Sequence, residues 1–328
     1  MSKLLKFIAL VVVIILVAAV LGWWWYLRPE PMEPPELPGV SERGEMEFGG
    51  HGRSWLTYIP ATRAARPALV LVMHGSLGDG EGMRSATRFS FDVLAERHGF
   101  VVVYPDGYRR HWNDCRAGAD YAAKLENVDD VGFLRTLVQR MVVEQQVDPA
   151  RVFATGLSNG GQMAYRLGLE APELVAGIAA IAASLPVPAS SDCQPSGQAV
   201  AALVMNGTED PVNPYDGGMV EIFGNSSRGE VMSSLDTAAY WAELAGYIGA
   251  GERRVWSDRV PDDGTKVEST EWLLPGQLPV SLVKIVGGGH TVPHPVFSMP
   301  RILGPTCHEM DGAEVVWRFF SAAAAARR

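Results

Sequence analysis

The sequence predicts an α/β fold, a mostly parallel sheet with helices on both faces. Two observations predict it. Short uninterrupted apolar runs recur along the chain, and stretches of helical periodicity fall between them. A strand buried on both faces reads as a continuous apolar run, because each of its alternating side chains meets a covering helix. Such runs alternating with helices are βαβ units, whose right-handed crossovers place the strand C-terminal ends along one edge.

The elements follow in order. Residues 45–59 read as a strand pair turning at Gly49-Gly50, with alternation over 54–59. The apolar runs are 68–73 (ALVLVM), 100–104 (FVVVY), 151–155 (RVFAT), 175–181, 201–205 (AALVM) and 281–286 (SLVKIV). Helical patterns occupy 84–98, 128–143, 160–170, 231–246 and 312–325. Asp129 and Asp130 are placed to cap and charge the start of the second helix. The segments 217–229 and 261–277 are the candidates to cover a cleft at the strand ends.

The first 28 residues are a separate object. Lys3 and Lys6 precede an uncharged apolar run from Phe7 to Leu27, closed by Trp23-Trp24-Trp25-Tyr26. About 20 residues span a bilayer core, and aromatic rings favour its interface. The run reads as an uncleaved signal-anchor, with a cleaved secretory signal as the alternative; the basic residues ahead of it place the body outside. No cysteine lies near it, which excludes a lipoprotein anchor. Residues 29–40 (PEPMEPPELPGV) form a Pro-rich, extended linker, and 41–328 is one catalytic-sized domain. With 47% hydrophobic and 20% charged residues the chain is not disordered. A net charge of −9 argues against nucleic-acid binding, which needs a basic face. Three cysteines, far apart, give no disulfide scaffold and no zinc pattern. Of the pairs available outside the cytoplasm, Cys115 with Cys193 is favoured, since both lie in loops after strands.

Chemistry is expected where the strands end. After RVFAT stands Gly156-Leu157-Ser158-Asn159-Gly160, a G-x-S-x-G pattern between a strand and a helix. Such a turn is too sharp for side chains on either side of the serine, and it holds the hydroxyl out in a strained conformation. The backbone N–H of Asn159, at the helix start, would face a developing oxyanion. A serine needs a base, and the base a third group to orient it. AALVM runs into Asn206-Gly207-Thr208-Glu209-Asp210-Pro211; Asp210 is the candidate acid, stiffened by Pro211, with Glu209 and Asp216 as rivals. SLVKIV runs into Gly287-Gly288-Gly289-His290, making His290 the candidate base, with His294 as competitor. The order serine, acid, histidine is that of α/β-hydrolases. After LVLVM comes His74-Gly75-Ser76-Leu77-Gly78, where a second oxyanion N–H is expected from Gly75, Ser76 or Leu77, Ser76 being favoured; His74 would orient the loop. A phosphate loop is excluded, since neither G-x-x-x-x-G-K-[ST] nor G-x-G-x-x-G is present.

These segments together resemble the secreted polyhydroxybutyrate depolymerase/feruloyl esterase family of α/β-hydrolases. The likeness runs from about Trp55 to Phe320 and rests on VMHGSLGDGEGMR, GFVVVYPDGYRRHWNDCR, NVDDVGFLRTLV, VDPARVFATGLSNGGQMAYRL, NGTEDPVNPYDGG and GGGHTVP. It implies the α/β-hydrolase fold, Ser158 as nucleophile, Asp210 as orienting acid and His290 as base. It also implies that the Trp112-Asn113-Asp114 loop borders the cleft, with Trp112 against substrate; a packed loop aromatic is the alternative reading of Trp112. The family pattern H-T-W-P-G is here His290-Thr291-Val292-Pro293-His294, so Val292 in place of the indole is expected to reshape the pocket. The implied activity is extracytoplasmic hydrolysis of soluble or oligomeric carboxylic esters through an acyl-enzyme, with no metal or organic cofactor, no nucleic acid and no protein partner. A peptidase on the same fold and a catalytically silent envelope binding protein are the alternatives.

Overall fold

The computed structural model describes residues 2–27, 33–222 and 224–326. Residues 29–32 of the expected linker lie outside them. The apolar N-terminal run forms one helix, α1 (Lys3–Leu27), long and apolar enough to cross a membrane and with none of its residues buried. Its indole Trp25 lies under the Arg301 guanidinium at 3.9 Å.

The body is built on a ten-stranded sheet. Hairpin strands β1 (Val40–Phe48) and β2 (His51–Ile59) form one edge. The centre is β3 (Leu69–Met73), β4 (Val101–Pro105), β5 (Val152–Leu157), β6 (Gly177–Ile181) and β7 (Ala201–Gly207). A small ribbon, β8 (Gly218–Met219) with β9 (Glu230–Val231), stands apart from it. Strands β10 (Glu252–Val255), β11 (Lys266–Trp272) and β12 (Val280–Val286) complete the far edge. The order is β1-β2-β4-β3-β5-β6-β7-β12-β11-β10, parallel from β4 to β12 and antiparallel at both edges.

The helices are α2 (Gly80–Ala86), α3 (Ser90–His98), α4 (Ala122–Leu125), α5 (Asp130–Glu144), α6 (Asn159–Glu170), α7 (Ser234–Leu244) and α8 (Gly312–Ala326). The two-residue period of β3 divides its side chains between two cores. Leu69, Leu71 and Met73 pack with Phe133 of α5, Met163 of α6 and Trp241 of α7. Val70 and Val72 pack with Met83 of α2, Phe91 of α3 and Phe320 of α8. Burying each such Leu or Val side chain contributes about 1.5–3 kcal/mol, and β3, buried on both faces, is apolar throughout.

Three details depart from the sequence reading. The single helix expected over 84–98 is two, because Arg88 (φ 53°) and Phe89 (φ 59°) take left-handed conformations. Thr87 Oγ1 donates back to the carbonyls of Met83 and Arg84, ending α2 there. Much of 261–277 is no cleft cover: 266–272 is β11, paired along its length with β12. Finally, only Asp129 caps α5, accepting from Gly132 N–H at 2.7 Å. Asp130 is buried and instead accepts from Arg53 Nη2 at 2.6 Å and from the Asn113 N–H at 2.7 Å. Burial raises its carboxyl pKa against the pull of Arg53. Cys115 and Cys193 form a disulfide across a separation of 78 residues, while Cys307 is a buried free thiol.

Candidate active site

Four loops leave the C-terminal ends of parallel strands and meet over one cavity of about 630 Å³. They follow β3, β5, β7 and β12. Ser158 occupies the turn from β5 to α6 with φ 54° and ψ −116°. For a residue with a side chain this conformation costs of order 1–3 kcal/mol. The packing that enforces it is visible at the two flanking glycines. A Cβ on Gly156 would stand 2.6 Å from Gly160 O and 2.8 Å from Met73 O, and one on Gly160 would stand 2.7 Å from His74 O. Side chains are thus excluded on both sides of the serine, as the motif requires. The Ser158 N–H donates to Ile181 O at 2.8 Å, pinning the turn to β6.

His290 follows β12 and lines the same cavity as Ser158. Its backbone N–H donates to Leu303 O at 2.6 Å, and Gly289 N–H donates to Pro305 O at 2.8 Å. The 303–305 segment therefore straps the histidine loop in place. His290 Nδ1 lies 2.7 Å from Asp210 Oδ2, and the aspartate side chain is fully buried. The other oxygen, Oδ1, accepts from the N–H groups of Val212 and Asn213 at 2.7 and 2.8 Å. Both carboxylate oxygens are thereby committed, and the carboxylate cannot rotate without breaking bonds. The rivals do not share this setting. Glu209 and Asp216 are exposed. The His294 ring accepts at Nδ1 from Phe297 N–H at 3.1 Å, away from the cavity lining.

The loop after β3 carries the remaining candidates. Leu77 N–H donates to Arg110 O at 2.9 Å and Gly78 N–H to Gly75 O at 3.1 Å. Of the three N–H groups considered from sequence, Leu77 is thus taken, leaving those of Gly75 and Ser76. Gly75 sits close to the serine, with an added Cβ falling 3.5 Å from Ser158 Cβ. Asn159 opens α6, where a backbone N–H has no partner four residues back within its own helix. His74 is buried and accepts at Nε2 from Gly107 N–H at 2.9 Å. Its proton therefore resides on Nδ1, which donates to Gly75 O at 2.7 Å. Burial holds the ring pKa below the usual histidine value, in keeping with a neutral ring that fixes the loop.

Two expectations are corrected. Trp112 is fully buried and lines no part of the cavity; its Nε1 donates to His74 O at 3.0 Å and its backbone is bracketed by the Asn159 side chain. The ring packs against His74 and offers substrate no surface. Val292 is likewise buried, at 3% exposure, in the core that contains α8, so the pocket is not shaped by it directly.

Other residues of the site carry little sequence signal. Asn159 Nδ2 donates to Asp114 Oδ2 at 2.5 Å, and Asp114 also takes Arg116 Nη2 and the Tyr121 hydroxyl. Burial opposes ionisation of Asp114, yet Arg116 and Lys124 hold its carboxyl below the usual range. The cavity wall is largely apolar, with Met83, Leu157, Val212, Met299 and Ile302 prominent. The 217–229 excursion adds Glu221, Ile222 and Arg228, as expected of a cover.

A serine on a strained strand-to-helix turn, set into this sheet beside a histidine–aspartate pair, defines the chain as an α/β-hydrolase. A family model described as Esterase PHB depolymerase matches residues 53–216. The chain is 30% identical over 269 residues to a protein named "Putative esterase NocK" from Nocardia uniformis subsp. tsuyamanensis, covering 79% of this chain and 75% of the relative. It belongs to the esterase PHB depolymerase family. Feruloyl esterase B of Piromyces equi is 25% identical over 228 residues, 68% of this chain but 39% of that longer relative. Among solved structures, an acetyl xylan esterase from Aspergillus awamori superposes with a TM-score of 0.54 at 20% identity, over 77% of this chain and 95% of that one; the likeness is one of fold.

Proposed function

We propose that the protein is a serine carboxylic-ester hydrolase that works outside the cytoplasmic membrane on soluble or oligomeric esters. The observation that carries this reading is the pairing of His290 with buried Asp210 at 2.7 Å on the same cavity as the strained Ser158. In this mechanism His290 Nε2 takes the Ser158 proton as Oγ attacks the ester carbonyl. Asp210 holds the proton on Nδ1 and stabilises the imidazolium that forms. The backbone N–H of Asn159 and that of Ser76 or Gly75 bind the oxyanion. His290 then protonates the departing alcohol, and water cleaves the acyl-enzyme by the same route. Family membership and the esterase names of its relatives support ester over amide substrates.

The location rests on α1, with Lys3 and Lys6 ahead of its apolar body, and on the Cys115–Cys193 disulfide, a bond that persists in oxidising compartments. The specificity is tested by comparing matched 4-nitrophenyl esters and 4-nitroanilides of short acyl groups on the detergent-solubilised full chain. The expected result is measurable ester turnover with the anilides at least about 10³-fold slower in kcat/KM. Comparable turnover of both would favour the peptidase reading, and turnover of neither the silent binding protein.

A further inference from the structure

We infer that Arg228 is an anion anchor in the active-site cavity, and that the preferred esters carry a free carboxylate which its guanidinium receives. The inference deepens the esterase reading by naming a substrate class, and rests on it.

Arg228 lines the same cavity as Ser158 and His290, yet only 8% of its surface is exposed. Its Nε and Nη1 are closed off from solvent and have no hydrogen-bond partner among the described residues. A buried cation with no ion-pair partner is costly unless an anion comes to it.

The neighbouring carboxylates attract Arg228 but make no hydrogen bond or ion pair with it. Asp114 is committed to Arg116, Tyr121 and Asn159. Asp120 accepts from Asn225 Nδ2 at 3.0 Å. Arg228 itself stands 5.9 Å from the centre of the Tyr121 ring, which braces it without neutralising it. Burial first, and Arg116 second, disfavour its positive charge, and Tyr121, Asp120 and Asp114 offset this only in part. Since arginine does not give up its proton in proteins, the field is relieved by an anion instead. Glu221 lines the cavity too, but it is exposed and keeps its own hydration. The planar, forked guanidinium is the cation best suited to a carboxylate, and the cavity, at about 630 Å³, has room for a small ester.

The test measures kcat/KM on the full chain with two matched pairs. The first is 4-nitrophenyl hydrogen glutarate against 4-nitrophenyl pentanoate, with the carboxylate on the acyl side. The second is 3-acetoxypropanoate against 3-acetoxypropanamide, with it on the alcohol side. The wild type is expected to prefer the anionic member of one pair, which identifies the side, by about tenfold or more. Arg228→Gln should lower kcat/KM for that member at least ~30-fold, mainly through KM, with a loss on the neutral member at least tenfold smaller. Arg228→Lys, which keeps the charge but not the fork, should fall between and serves if the glutamine variant does not fold. Equal turnover of both members in both pairs by the wild type, or equal losses on both in a folded variant, would overturn the inference. If the wild type hydrolyses no ester, the esterase reading fails separately. Calorimetric binding of glutarate to the wild type then decides: binding that Arg228→Gln or Arg228→Lys weakens retains the anchor, and no binding removes it.

Discussion

Ser158→Ala is expected to lower kcat/KM for 4-nitrophenyl acetate by about 10⁴-fold or more while leaving KM within a few-fold. The substitution removes the attacking oxygen and nothing that binds the ester. Alanine retains the Cβ, so the strained turn keeps its φ of 54° and its packing between Met73, His74 and Gly160. Thermal unfolding should therefore change little. Residual hydrolysis would come from the oxyanion N–H groups and the cavity acting on water. A loss of only a few-fold in a folded variant would show that Ser158 does not carry the reaction.

The second large effect concerns the acid. Asp210→Asn is expected to reduce kcat by about 10³–10⁴-fold with little change in KM. The geometry says why. Asp210 Oδ1 accepts from the Val212 and Asn213 N–H groups, and Oδ2 faces His290 Nδ1. An asparagine must turn its carbonyl to the two N–H groups, which forces its NH₂ toward His290. That amide donates to Nδ1 and drives the imidazole proton to Nε2, where the ring can no longer accept from Ser158. The fold loses no volume, so the effect should appear in rate and not in stability. Steady-state kinetics on the folded variant check it; a rate near that of the wild type would remove Asp210 from the mechanism.

Much of this site was legible because its signals are local. Ser158 could be located from a glycine pair, a strand and a helix within about fifteen residues, and His290 and Asp210 from the ends of apolar runs. What was not legible depends on which way a side chain turns in three dimensions. Trp112 and Val292 sit beside the right residues in sequence, yet both face inward. Burial direction is a tertiary property, and an aromatic next to a site motif reads the same whether it lines a pocket or supports it. Strand β10 (ERRV) was missed because edge strands bear charges and lack the apolar run of a buried strand. The break between α2 and α3 was missed because apolar spacing continues across residues 87–89 while the backbone does not. Arg228 gave no warning, being one arginine in a polar, glycine-containing segment. Its significance appears only when the cavity shows what fails to pair with it.

The central claim is that Ser158 is an activated nucleophile. The most direct measurement treats the folded full chain with a fluorophosphonate and maps the adduct by peptide mass spectrometry, with Ser158→Ala in parallel. The account predicts one adduct, on Ser158, absent from the variant. A folded chain that forms no adduct, or one that is labelled on another residue and equally in the variant, would contradict it.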